Sequence, residues 1–187
     1  LNIVHLIRQA DIGTSVPAIL IEDAGAIVEA VAHLAAQGHS RIAYIGADQA
    51  LSSGRSRLSA FCWGLEGAGL KAEPDLLRTA TPSTAAGHAQ MTRLLEAGQA
   101  TAVVCGGVEM SNGALLALLE GGHGLDAPVA FVGYGDASLY AWIGGGVTTI
   151  GLPTEQLAAS AASLLAQKTG VESGAEIWSH SASLIRR

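Results

Sequence analysis

Short apolar runs alternate with segments of helical periodicity along nearly the whole chain, most clearly from Ala30 to Leu65. Apolar residues recur at helical spacing as far as Leu34, and Gly38 follows where a helix commonly ends. The next run, Arg41–Ile45, has the composition of a buried strand, and helical spacing then resumes. Such alternation predicts a parallel sheet with right-handed crossover helices.

The same signals divide the rest of the chain into strands and helices of an α/β fold, a doubly wound parallel sheet with helices on both faces. Strands are predicted over residues 2–7, 16–21, 41–45, 76–79, 100–105, 127–132, 147–150 and 176–185. Helices are predicted over residues 24–37, 55–68, 85–97, 109–120 and 153–167. The rhythm changes near residues 22, 151 and 175, which indicates that the chain passes between two lobes there.

Composition narrows the class of protein. Apolar residues make up 49% of the chain and charged residues 14%, which excludes a disordered chain. No apolar run is long enough to cross a bilayer, so no membrane partner is expected. The net charge of −6 argues against nucleic-acid binding by this chain itself. Cys62 and Cys105 lie within apolar patterns, which favours reduced core thiols in a cytoplasmic protein.

Loops that follow successive parallel strands gather at one edge of a sheet, where ligands bind in folds of this type. Several of these loops contain glycine, so their backbone can approach a ligand closely. Arg57 lies in the first turn of a helix at this edge, and its guanidinium offers a rigid fork of donors. Asp136 follows another strand and can accept hydrogen bonds. The alternative is that these two side chains pair with each other or with solvent.

Enzyme signatures are absent from the sequence. It contains no GxSxG elbow, no GxxxxGK[ST] phosphate loop, no HExxH and no CxxC. The six histidines are scattered, and no carboxylate pair has a spacing suited to acid–base catalysis. We therefore predict no catalytic residue, no metal ligand and no cofactor.

Several stretches resemble the effector-binding core of the lactose-repressor (LacI/GalR) family of bacterial transcription regulators. The strongest is AVAHLAAQGHSRIAYIG, followed by SGRSRLSAF and GLEGAG. Three later stretches, AVVCGGVEMSNGALLAL, VAFVGYGD and VTTIGLPTEQLAASAASLL, match the family's pattern in the same order. Together they cover nearly the whole chain.

The resemblance implies a type I periplasmic-binding-protein-like fold with two lobes. Residues 1–22 and 151–175 would be the remnant of the first lobe, and residues 23–150 and 176–187 the second. The chain starts at Leu1 without an initiator Met, so we expect the rest of the first lobe and a DNA-binding helix-turn-helix upstream.

The implied function is sensing of a small-molecule effector, a sugar, nucleobase or similar compound, between the lobes of a cytoplasmic homodimer. Effector binding would change the affinity for operator DNA, which the missing N-terminal domain contacts. The alternative is a periplasmic sugar- or solute-binding protein of a transporter, which shares the fold.

The resemblance also assigns site residues. Arg57 matches the family's effector-contacting arginine, and Ser53 matches a nearby polar contact. Other positions depart from the pattern: Gly135 replaces a frequent acidic ligand acceptor, Gly107 replaces the first residue of an Asn-Asp pair, and Pro82 stands where some members have a stacking aromatic. These changes remove acceptors and a stacking surface, so they argue against a typical sugar pose. Dimerisation in the family uses outer helices of the second lobe, which makes Leu139, Tyr140, Trp142 and Met110 candidate interface residues.

Overall fold

A computed structural model describes residues 3–7, 16–121, 129–166 and 177–187, and it has the predicted α/β architecture. The strands are β1 (His5–Leu6), β2 (Ala18–Glu22), β3 (Ile42–Ala47), β4 (Leu77–Ala80), β5 (Ala102–Gly106), β6 (Ala130–Tyr134), β7 (Thr149–Gly151), β8 (Ile177–Ser181) and β9 (Ser183–Ile185). The α-helices are α1 (Ala24–Ala36), α2 (Ser52–Gly67), α3 (Thr84–Ala97), α4 (Val108–Glu120) and α5 (Thr154–Ala166). Short 3₁₀ turns lie at Pro74–Leu76 and Ser138–Ala141.

The described strands form two sheets. The smaller sheet has the order β1-β2-β8 and is parallel throughout. The larger has the order β4-β3-β5-β6-β7-β9, in which only β9 runs antiparallel to its neighbour. Parallel strands covered by helices on both faces become continuous apolar runs, and every residue of β3 and β5 is buried.

The main core lies on the larger sheet, between its strands and α1 to α4. Helix α1 faces this core with Ala26, Ile27, Ala30, Val31 and Leu34. A separate small cluster of Ile19, Leu157 and Leu164 joins α5 to the smaller sheet. Each sheet therefore has its own core, as expected of two lobes.

The predicted final strand, residues 176–185, is wrong as a single element. The structure divides it into β8, which pairs with β2, and β9, which pairs with β7. Between them, the Ala182 amide donates to the Glu22 carbonyl as the chain crosses from one sheet to the other. Ile177–Ser181 thus lies in the smaller sheet, contrary to its predicted place in the second lobe. The other lobe boundaries stay a prediction.

Two of the four predicted interface residues are buried within the chain. Tyr140 is 1% exposed, and its hydroxyl donates to the Asn112 side chain at 2.7 Å. Met110 is likewise 1% exposed. Neither side chain offers area to a partner, so their assignment to an exposed interface is wrong. Leu139 and Trp142 are exposed, and their role in an interface stays a prediction.

Candidate functional site

A cavity of about 150 Å³ lies between the ends of strands from both sheets. Its apolar side chains are Ile7, Ile21, Ala47, Pro82, Val108, Met110 and Leu152. Its polar side chains are Arg57, Glu109 and Tyr134. Of the predicted site residues, the structure brings Arg57, Gly107 and Pro82 together here.

Arg57 is held in place by three neighbours although only 7% of it is exposed. Its Nε donates to Oδ2 of Asp23 at 2.6 Å, and its Nη1 donates to the carbonyl of Gly106 at 3.2 Å. The guanidinium carbon also lies 4.5 Å from the centre of the Tyr134 ring. Burial by itself would lower the pKa of Arg57, but Tyr134 and Asp23 raise it above its ordinary value, so the side chain stays charged.

Asp23 completes this site and is not among the residues predicted from the sequence. Its position before α1 is typical of a helix N-cap, yet its side chain makes no capping hydrogen bond. Oδ2 instead accepts from Arg57 and, at 2.5 Å, from the hydroxyl of Tyr134. The sequence feature that could have indicated its contact with Arg57 is the position of Asp23 between β2 and α1, where the chain crosses from one sheet to the other.

Tyr134 ends strand β6 and links the cavity to Asp23. Burial raises the pKa of its hydroxyl above the ordinary value, and Asp23 adds to that effect against the opposing charge of Arg57. The hydroxyl therefore stays protonated and donates to Asp23. Asp23, Arg57 and Tyr134 form one buried, hydrogen-bonded group with no net charge, which we call the Asp23–Arg57–Tyr134 group.

A second tyrosine, Tyr44, lies close to Arg57 and Asp23 and is fully buried. Its ring packs against Phe61 with the ring centres 5.2 Å apart. Its hydroxyl has no hydrogen-bond partner among the described residues. The hydroxyl occupies the space beside Gly46 and Gly106 where a larger residue would place its Cβ, so these two strand ends require glycine.

Asp136 and Gly135 do not line this cavity but a neighbouring hollow, which shares Val108, Tyr134 and Leu152 with it. Both carboxylate oxygens of Asp136 accept from Arg187, at 2.8 Å and 3.0 Å. The alternative pairing of Arg57 with Asp136 is therefore wrong, because each has a different partner. Gly135 has a φ of +83°, and its carbonyl accepts from the Thr149 hydroxyl.

Ser53 lies in the first turn of α2, beside a second hollow that Asp23 and Arg57 also line. Its hydroxyl is buried and has no partner among the residues that the structure describes. Ser53 is thus close to the Asp23–Arg57–Tyr134 group but outside the cavity lined by Val108.

The sequence profile of the periplasmic binding protein-like domain matches residues 31–187. The chain belongs to the periplasmic binding protein-like domain family. The HTH-type transcriptional regulator GalR of Salmonella typhimurium is 32% identical over 136 residues, which are 72% of this chain and 40% of that protein. This chain spans about two fifths of the length of that relative.

Solved structures agree with this membership. The chain superposes on a transcriptional regulator CelR–cellobiose complex with a TM-score of 0.85 at 27% identity, covering 98% of this chain and 57% of that one. A LacI family transcriptional regulator from Enterococcus faecium with bound ribose has a TM-score of 0.82 at 23% identity, covering 98% and 68%.

Within its family, the chain corresponds to the effector-binding domain of LacI-family regulators, and the type I periplasmic-binding-protein-like fold is confirmed. These relatives are transcription regulators rather than transport proteins or enzymes, which favours the regulator over the transporter alternative. In the described part of the chain, no helix combines the length and apolar composition needed to cross a membrane.

Proposed function

We propose that a small-molecule effector binds in the cavity between the two sheets and contacts Arg57. The arrangement of Arg57 carries this proposal: a buried guanidinium is fixed by Asp23 and Gly106 while it still lines an open cavity. Arginine held in this way presents donors with little loss of side-chain entropy on binding. CelR with cellobiose and the Enterococcus faecium regulator with ribose support the small-molecule class.

The regulatory consequence follows from the position of the cavity. A ligand that contacts residues of both sheets favours one arrangement of the lobes, and so changes the affinity of a DNA-binding segment elsewhere in the protein, by about 1–3 kcal/mol in typical cases. The acidic charge of this chain supports DNA contact through another segment. We propose a cytoplasmic regulator without catalytic activity.

Thermal denaturation with D-ribose, cellobiose, hypoxanthine and small amides tests effector binding. A ligand at about 100 times its dissociation constant should stabilise the chain by about 2.7 kcal/mol. The double variant Arg57→Met with Asp23→Asn removes the donor without leaving a buried unpaired charge, and it should abolish the stabilisation. Arg55→Met changes an exposed arginine of the same helix and serves as the control. Stabilisation retained in the double variant contradicts the proposed site.

We also propose that the protein is a homodimer and that Leu139 and Trp142 contribute to its interface. Their side chains are 50% and 83% exposed and lie close together in sequence, and contiguous exposed apolar residues can mark association surfaces. Sedimentation velocity should show a dimer that Trp142→Glu converts to monomer. Trp63→Glu alters another exposed tryptophan, on α2, and should leave the dimer intact. A monomeric wild-type chain contradicts this part of the proposal.

A further inference from the structure

Among the described residues, the cavity offers few groups that could replace the hydration of a polyhydroxylated ligand. Its side chains are mainly apolar, with Val108 and Leu152 on the walls beside Arg57. The Tyr134 hydroxyl already donates to Asp23, and the Gly106 carbonyl already accepts from Arg57. A ligand whose hydroxyl groups became buried here without hydrogen-bond partners would bind weakly, because each hydroxyl group loses its hydrogen bonds to water.

Apart from the carboxylate of Glu109, the polar groups available in the described part of the cavity are donors. Nη2 of Arg57 makes no hydrogen bond to any residue that the structure describes, while Nε and Nη1 are occupied. Helix α4 begins at Val108 on the cavity wall, and the first amide groups of a helix have no acceptor within the helix. Both features suit acceptor atoms on the ligand.

The charge of the cavity selects between neutral and anionic acceptors. The carboxylate of Asp23, 2.6 Å from Arg57, cancels the charge of the guanidinium. Glu109, in the first turn of α4, also lines the cavity and adds a negative charge. A carboxylate or phosphate group on the ligand would therefore meet side chains with a net negative charge, which oppose the attraction of the α4 N-terminus for anions.

We propose that this cavity binds a compact, uncharged molecule with a largely apolar body and a carbonyl-type acceptor that Arg57 contacts. The same features disfavour sugars, through the apolar walls, and carboxylic acids, through Asp23 and Glu109. The volume of about 150 Å³ supports a compact ligand, because sites for drug-sized molecules measure roughly 300–1,000 Å³. This inference rests on the proposed function, in that it assumes an effector in this cavity.

Matched pairs of amide and acid test the ligand class. The pairs are isobutyramide with isobutyrate, cyclohexanecarboxamide with cyclohexanecarboxylate, and phenylacetamide with phenylacetate, and D-ribose is added as the polyhydroxylated probe. Calorimetric titration of the chain should show that the amide of at least one pair binds about tenfold more tightly than its acid and than ribose. The double variant Arg57→Met with Asp23→Asn should abolish this binding.

Two variants change the preference in predictable directions. Asp23→Asn leaves the charge of Arg57 uncompensated, so the acid of the pair should gain about tenfold in affinity relative to its amide. Glu29→Gln is the control, since it removes an exposed acid of α1 that pairs with Arg186. Val108→Ser places a hydroxyl on the wall at a residue that is 44% exposed, so it should fold, and it should improve ribose binding relative to the amides.

The outcomes separate this inference from the proposed function. Binding of an acid or of ribose in preference to every amide, with loss of that binding in the double variant, overturns the ligand class and leaves effector binding in this cavity intact. Absence of any binding that depends on Arg57, across all the probes, overturns both. Should Asp23→Asn fail to fold, as judged by circular dichroism, the comparison of probes on the wild-type chain decides the ligand class.

Discussion

Arg57 and Asp23 are both buried, and each supplies the other's charge partner at 2.6 Å. Removing one member of such a pair leaves an uncompensated charge in the interior, which costs far more than removing both. Arg57→Ala should therefore lower the free energy of unfolding by about 3–5 kcal/mol. The double variant Arg57→Met with Asp23→Asn should lose less than Arg57→Ala alone. Urea denaturation of the single and double variants measures this coupling, and additive losses would contradict it.

Removal of the hydroxyl group should affect the free energy of unfolding differently in the two buried tyrosines next to this pair, Tyr44 and Tyr134. The Tyr44 hydroxyl is buried without a partner among the described residues, so Tyr44→Phe should leave the free energy of unfolding unchanged or raise it by up to about 1 kcal/mol. The Tyr134 hydroxyl donates to Asp23, so Tyr134→Phe should lower it by about 1–3 kcal/mol. Urea denaturation compares the two. A clear loss of stability in Tyr44→Phe would show that its hydroxyl has a partner after all.

The sequence predicts individual site residues where their neighbours along the chain supply the signal. Arg57, Gly107 and Pro82 follow strand ends at one edge of the sheet, and they do line one cavity. Asp23 was missed because its position suits an N-cap, and only the tertiary structure brings it to Arg57, 34 residues away. The pairing of Asp136 with Arg187 spans 51 residues and has no local signature.

Helices α3 and α4 pack closely because glycines lie at their contact. A Cβ at Gly113 would overlap the backbone of α3 at Thr84, and a Cβ at Gly87 would overlap the backbone of α4 at Met110. Backbone cannot move aside as a flexible side chain can, so the helices would have to separate.

Gly113→Ala should therefore lower the free energy of unfolding by about 1–3 kcal/mol, the usual effect of overpacking. Gly25→Ala is the matched control, since no atom lies within 4 Å of a Cβ at this helical glycine. That variant should raise the free energy of unfolding by about 0.4–1 kcal/mol through the lower entropy of the unfolded chain. Thermal and urea denaturation measure both. Equal effects of the two substitutions would show that α3 and α4 can separate without loss of stability.

The buried strands of the larger sheet were predicted well from the sequence, and the more exposed strands near the end of the chain were not. Strands β3 and β5 are buried at every residue, so their apolar runs mark them clearly. In β8 exposed and half-buried residues alternate, and β9 is no more buried. Neither strand has an apolar run that marks it as a separate element. The crossing between the two sheets at Ala182 could therefore not be predicted from periodicity.

At the scale of the whole molecule, the alternation of strands and helices in a sequence does not determine how many sheets the chain forms. The described chain crosses between its two sheets after β2, after β7 and after β8. The first crossing contains Asp23, which also binds Arg57 at the cavity. The cavity therefore lies where the two sheets meet, so the ligand proposed to bind there would contact residues of both sheets.

Cys105 probes the integrity of the larger sheet because it lies in β5, between β3 and β6, and is fully buried. Burial raises the pKa of its thiol from an ordinary value of 9.0 to about 12, against a smaller opposing effect from Ser111. A raised pKa means that the folded chain keeps a proton that the unfolded chain releases. The stability contributed by this thiol is thus complete below pH 9.0 and is lost as the pH rises towards about 12.

Labelling with iodoacetamide at pH 8 should therefore modify Cys62, which is partly exposed on α2, and spare Cys105 in the folded chain. With increasing urea, Cys105 should react at a rate that follows global unfolding, because its sheet has to open first. Mass spectrometry of labelled peptides measures both rates, and Cys62→Ser serves as the control that isolates the buried thiol. Labelling of Cys105 at a rate independent of urea would show that β5 separates from its neighbours without unfolding of the lobe.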